Sequence, residues 1–97
     1  MAITQFAFSR IESRAVSAVI ADDTVSETKT PSGTNGTTTA AATASRNVCR
    51  VATDTAIYVS FGTAPNAGTD SGRFYIPAGV VEYFVLDTGW IAAVVTA

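Results

Sequence analysis

An all-β fold, a small antiparallel sandwich or barrel of about six to eight short strands, is what this sequence predicts. Three observations lead there. The 97 residues include 17 alanines, 11 valines and 15 threonines but a single leucine, Leu86. β-Branched side chains are stiff at χ1 and fit a pleated surface, whereas a helical chain would be rich in Leu, Glu and Lys. Apolar residues alternate at period two in several short runs, and turn residues separate those runs every 8–12 positions or so. A jelly roll and an immunoglobulin-like sandwich both fit this spacing. The chain is read as one domain, 1–97, with 1–22 an N-terminal arm or strand and 22–45 a Thr/Ser/Gly-rich hairpin or loop.

Residues 2–9 alternate, with Phe6 and Phe8 on one face. Residues 13–21 are rich in Ala, Val and Ile and read as a strand buried on both faces, in preference to a short helix. Between 22 and 45 the composition turns to Thr, Ser, Gly and Ala. Asn35-Gly36 is a hairpin signal of type I′, so 25–30 and 37–44 are expected to pair, with a mobile low-complexity loop as the alternative. From Arg46 onward the punctuation is clearer. Strands are expected at 47–53, 56–62, 73–76, 80–86 and 90–96, with a Pro/Asn/Gly loop over 63–72 and turns at Pro77-Ala-Gly79 and Asp87-Thr-Gly89.

The two closing strands break the alternation. In 80–86, Val81, Tyr83 and Val85 fill one face while Val80, Phe84 and Leu86 occupy the other, interrupted only by Glu82. In 90–95 both faces are apolar. A sheet with one wet face should alternate cleanly, so either both faces are covered within the chain or a second chain covers one. A chain this short has little left with which to cover two faces, and so a partner is expected. Charged residues make up 14% of the chain, against about 25% in an average soluble domain. Glu82, on an apolar face, should pair with an arginine such as Arg50 or Arg73, within the chain or across an interface.

The chemistry of catalysis is thinly represented. There is no histidine, so neither a Ser-His nor a Cys-His nucleophile can be built. Cys49 lies in an apolar strand and reads as a small core residue. Asp22, Asp23 and Glu27 form a local acidic cluster without the spacing of an EF-hand loop and read as a solvated turn. Asp54, Asp70 and Asp87 stand beside Thr or Ser in turns, where they cap the backbone. The expectation is therefore no catalytic residue, no cofactor and no metal site. The formal charge of −2 argues against nucleic acid, and no run approaches the ~20 apolar residues of a membrane helix. Met1-Ala-Ile-Thr-Gln-Phe6 lacks the pattern of a signal peptide, so synthesis in the cytoplasm is expected. Seven of the nine aromatics fall between Tyr58 and Trp90; core filling is the default for them and a sugar-binding platform the alternative.

The second half of the chain carries a likeness. The run Arg50-Val-Ala-Thr-Asp-Thr-Ala-Ile-Tyr-Val-Ser-Phe-Gly62, a Pro-containing loop, Ile76-Pro-Ala-Gly-Val-Val-Glu-Tyr-Phe-Val-Leu86 and a turn into Trp90-Ile-Ala-Ala-Val-Val95 resembles small structural proteins of tailed bacteriophages. Several of these are capsid decoration, or cement, proteins. The resemblance implies a non-enzymatic virion protein on the capsid surface, a symmetric oligomer (a homotrimer) that binds the major capsid protein and strengthens subunit joints. On that reading Phe6, Phe8, Arg10 and Arg14 are candidate shell contacts. Tyr83, Phe84 and Trp90, with Glu82, are candidates for self-association. The alternative is a tail, neck or fibre component, including a carbohydrate-binding adhesin domain.

Overall fold

The computed structural model describes residues 3–12, 18–19 and 24–97. In chain order the strands are β1 (Thr4–Ser9), β2 (Ile11–Glu12), β3 (Ala18–Val19), β4 (Val25–Lys29), β5 (Gly36–Thr37), β6 (Val48–Thr53), β7 (Ile57–Gly62), β8 (Phe74–Ile76), β9 (Val81–Val85) and β10 (Ile91–Thr96). Eight of them form two four-stranded sheets, β4-β1-β6-β9 and β5-β10-β7-β8, and β2 pairs with β3. Every pairing is antiparallel. The all-β sandwich expected from composition is the fold.

Register explains the core. Phe6 stands opposite Val51 and Phe8 opposite Cys49, which puts all four side chains on one face of the first sheet. Val59 opposite Val94 and Ala92 opposite Phe61 do the same in the second. The two faces meet. Phe6, Phe8, Cys49, Val51, Ile57, Val59 and Ala92 are wholly buried, with Ile76, Leu86 and Val94 beside them. Cys49 is thus a core residue.

β1 is an interior strand, paired on both sides. The shell contacts expected of Phe6 and Phe8 are corrected by this: both rings are 0% exposed and cannot touch a partner. Their period-two pattern faces the core. An arm is likewise not what Thr4–Ser9 forms. Residues 13–17 and 20–23, with most of the strand expected at 13–21, lie outside the described residues.

Both ends of the sandwich chain gather at one turn. The N–H of Ile3 donates to Asp54 Oδ1 at 2.7 Å, and the Ile3 carbonyl accepts from the Asp54 N–H at 3.1 Å. The Ala97 N–H donates to the Ala56 carbonyl at 3.1 Å. By chain position the eight sheet strands read second-first-fourth-seventh and third-eighth-fifth-sixth. That is the jelly-roll order with the usual last strand moved to the front. The adjacent ends make the rearrangement geometrically simple. An immunoglobulin-like order, whose first strand lies at an edge, does not fit.

The hairpin expected across Asn35-Gly36 does not form. β4 is an edge of one sheet and β5 an edge of the other, so this segment crosses between layers. A type I′ turn needs φ > 0 at both central residues, and neither Asn35 nor Gly36 has it. Asn35 instead bridges to the loop 63–72: its Nδ2 donates to the Pro65 carbonyl at 3.2 Å, and its Oδ1 accepts from the Ala67 N–H at 2.8 Å. The stretch after β5 is tied down as well. Thr38 N–H donates to the Ala92 carbonyl, Ala42 N–H to the Trp90 carbonyl and Leu86 N–H to the Asn47 carbonyl, each at 2.8 Å.

β10 corrects a second expectation. Its inner residues Ala92 and Val94 face the core, and its outer residues Ala93 and Val95 pack against Ala67 of the loop 63–72. All four are buried by this chain alone. The loop, rather than a neighbouring subunit, covers the outer face.

Replacing Phe6 by Ala should cost about 3–5 kcal/mol of stability in urea unfolding, because a fully enclosed ring leaves a cavity. Val85→Ala, at a side chain 77% exposed, should stay within about 0.5 kcal/mol. Similar losses at the two positions would contradict the register.

Candidate functional site

One long side of the sandwich is left open, where β8 ends one sheet and β9 ends the other. Two turns set β9 in place. Val80 N–H donates to the Pro77 carbonyl at 3.3 Å, and Trp90 N–H donates to the Asp87 carbonyl at 3.1 Å. Each turn has its third residue at positive φ, Gly79 at 81° and Gly89 at 89°, a conformation that other residues adopt only with strain.

Between the two edges lies a groove of about 300 Å³ lined by Phe61, Gly72, Phe74, Phe84, Val85, Leu86 and Trp90. Phe84 is its centre. Its ring lies 4.7 Å from that of Phe61 and 5.0 Å from that of Phe74, centroid to centroid, both tilted. Phe84 points inward because it stands opposite Cys49. Val81, Tyr83 and Val85 consequently point outward and stay exposed. They are 41%, 53% and 77% exposed, and Phe74 across the groove is 49% exposed. Val81, Tyr83 and Val85 thus form an apolar row on the outer face of β9, while Phe74, opposite Val59, turns toward Phe84 in the groove.

Of the residues expected to self-associate, Tyr83, Phe84 and Trp90 fall on this side, and Glu82 is exposed in the same strand. Within the chain, among the described residues, it pairs with neither Arg50 nor Arg73. Tyr83 stands opposite Arg50 and Glu82 opposite Val51, so Glu82 and Arg50 face opposite sides of the sheet. Arg50 reaches Gln5 Oε1 at 3.5 Å. Arg73 donates to the carbonyls of Ala67 and Gly68, each at 3.2 Å, and its guanidinium lies 4.0 Å above the Tyr58 ring. Arg10 is exposed just past the far end of β1, and Arg14 lies outside the described residues. The contact residues expected from sequence did not include Phe61, Phe74 or Val85, although Val85 belongs to the apolar face read in 80–86. The failed alternation in 80–86 was the available signal for Val85; the position of Phe74 depends on a three-residue strand with almost no pattern of its own.

Asp70 and Glu27, away from this side, hold loops in place. Asp70 Oδ2 accepts from Ser60 Oγ at 2.5 Å and from the Asn66 N–H at 2.9 Å, which pins the loop 63–72 over β7. These donors, the Ser60 hydroxyl foremost, hold its carboxyl below the usual range. Glu27 accepts from the N–H groups of Thr39 and Ala40, each at 2.9 Å, and lies 3.4 Å from Lys29 Nζ. Burial raises its pKa, but the Ala40 and Thr39 N–H groups and Lys29 outweigh that and leave it lowered. Asp22 and Asp23, its neighbours in the acidic cluster, lie outside the described residues. Burial pushes the Cys49 thiol up to about 12.

The chain matches no family model, no curated protein and no solved structure.

Two solution measurements follow. Cys49 should be inert to thiol reagents at pH 8 in the folded protein and react once it is unfolded, because its thiolate is suppressed. Asp70 has a folded pKa below its unfolded value, so its stabilisation is present above about pH 4 and is lost as pH falls through the lowered value. Amide protection at 66–70 should therefore drop in that acid range. In Asp70→Ala it should already be low at neutral pH. Unchanged protection in the variant would show that the carboxylate does not hold the loop.

Proposed function

We propose that this protein is a non-enzymatic structural component of a phage particle, of the decoration type. It would work by docking its β8–β9 side on other protein chains. The observation that carries the docking part is the exposure of Val81, Tyr83 and Val85 on β9, with half-exposed Phe74 in the aromatic groove beside them. Exposed apolar surface of this sort is a mark of interaction sites. The virion setting is supported by the resemblance of the second half to small phage structural proteins and by the low charge content.

Magnitudes favour repeated weak contacts. Each of these residues is roughly half exposed, so docking recovers about half of the 1.5–3 kcal/mol that full burial of such a side chain contributes. Four of them add about 5 kcal/mol, against an association cost of about 4–15 kcal/mol. A lone copy holds weakly. Many copies on a lattice, each bridging more than one neighbour, gain from effective concentration.

The groove also bears on the alternative, a tail or fibre component that binds carbohydrate. Aromatic rings suit sugar faces, but none of the seven lining residues supplies a carboxylate, an amide or a hydroxyl for sugar hydroxyl groups. The lining suits protein side chains better.

Purified protein should co-migrate with expanded, DNA-free heads of its parent phage on a sucrose gradient, saturating at hundreds of copies per head. Tyr83→Lys should reduce the bound fraction at least tenfold. Co-migration with tails alone would overturn the decoration role, and failure to bind any particle fraction would overturn the virion setting.

A further inference from the structure

We infer that the docking partner of the β9 edge is a second copy of this chain, joined strand to strand about a two-fold axis through Tyr83. This rests on the reading of the β8–β9 side as the docking surface, though not on its virion setting.

The backbone supplies the first argument. The Leu86 N–H donates to the Asn47 carbonyl, and the register runs from Val85 opposite Val48 to Val81 opposite Ala52. Antiparallel ladders alternate, so Glu82 and Phe84 direct their N–H and C=O groups toward β6. Val81, Tyr83 and Val85 direct theirs away from the sheet. The residues with outward backbone groups are the same three whose side chains stand exposed.

Their order supplies the second. Val81-x-Tyr83-x-Val85 reads alike in both directions. An antiparallel copy centred on Tyr83 sets Val81 opposite the partner's Val85 and Tyr83 opposite the partner's Tyr83. In this register all three outward residues form hydrogen-bonded pairs. On the inner face Glu82 stands opposite the partner's Phe84, so no two like charges are directly opposed. The register also keeps the whole five-residue strand paired. A symmetric, isologous contact of this type closes at two copies.

The other edges supply the third. Unprotected edges invite pairing, and proteins guard them with charge, proline, shortness or covering loops. β4 carries Glu27 and Lys29, and Glu27 holds the backbone of Thr39 and Ala40 against it. β5 has two residues. β8 has three and runs straight into Pro77. β9 alone among these four edges is full-length, flat in pattern and nearly uncharged.

Docking lays the partner strand along the mouth of the aromatic groove and brings the two Phe74 side chains toward the junction. Phe74, Val81, Tyr83 and Val85 offer on the order of 400 Å² of apolar side chain per copy, or about 800 Å² in the pair, below the standard 1,200–2,000 Å². The dimer should therefore be concentration-dependent and symmetric.

Sedimentation equilibrium of the full chain, from micromolar to millimolar, tests this together with amide exchange. The expected mass rises from 10.0 kDa toward twice that value, and the amides of Val81, Tyr83 and Val85 slow in step. Tyr83→Pro should abolish the dimer at little cost to the fold, because the Tyr83 N–H makes no bond to β6. Val85→Lys, at a side chain 77% exposed, gives the same reading if the proline variant does not fold. A chain that stays monomeric at millimolar concentration would overturn the inference. So would a trimer, a dimer with freely exchanging amides at these three positions, or a dimer that survives both substitutions. A monomer that still binds heads would leave the docking role standing with the shell as occupant, whereas a dimer that ignores heads would remove only the virion setting.

Discussion

The insertion of β1 between β4 and β6 is the constraint on which the remaining architecture depends. It brings Phe6 and Phe8, the only aromatics of the first half, into a core whose other large members come from after residue 47. Without those rings the inner face of β6 would have Cys49 and Val51 exposed to the gap between sheets, and the layers would lack their thickest filling. The insertion is fastened at its start by the reciprocal bonds of Ile3 and Asp54 and by the Thr4–Thr53 hydroxyl pair at 3.0 Å. Each of these contacts spans about fifty residues of chain, so closing this sheet is entropically costly and local propensity offers it little help.

That distance in sequence explains what could be read in advance and what could not. The strands after residue 47 are short apolar runs bounded by Pro, Gly, Asn and Asp, and all five appear within a residue or two of their expected positions. Local pattern decides such elements. The inward direction of Phe6 and Phe8 was present in the alternation of residues 2–9, but alternation states only that two rings share a face, not what that face meets. For Asn35-Gly36 the short-range signal was overruled. The Asn35 side chain bonds to the loop 63–72 about thirty residues away, and the chain crosses to the other sheet there. A dipeptide carries no information about such a partner.

The same reasoning separates the two strands whose alternation fails. β9 and β10 look alike in sequence, apolar on both faces, and the structure treats them differently. β10 is an interior strand whose outer residues Ala93 and Val95 are small enough for the loop 63–72 to lie on them, pinned by Asp70, Asn35 and Arg73. β9 carries Tyr83 and Val85 at the corresponding outward positions, at the edge of the other sheet, and both stay more than half exposed. Bulk and position, neither visible in a hydrophobicity pattern, decide which greasy face is covered from within.

What remains uncovered is consequently informative in a way that the raw apolar content was not. The chain uses key polar side chains to secure turns and loops: Asp54 at the start of β1, Asp70 at the loop 63–72, Glu27 at the backbone after β5 and Arg73 at two loop carbonyls. A fold that provides for its other edges this thoroughly leaves β9 with unguarded N–H groups, three outward apolar side chains and one carboxylate. Such an edge would favour indiscriminate pairing unless it had a regular occupant. The palindromic spacing of Val81, Tyr83 and Val85 limits the choice of occupant, because an antiparallel strand of the same chain matches it residue for residue and leaves no charge facing its like.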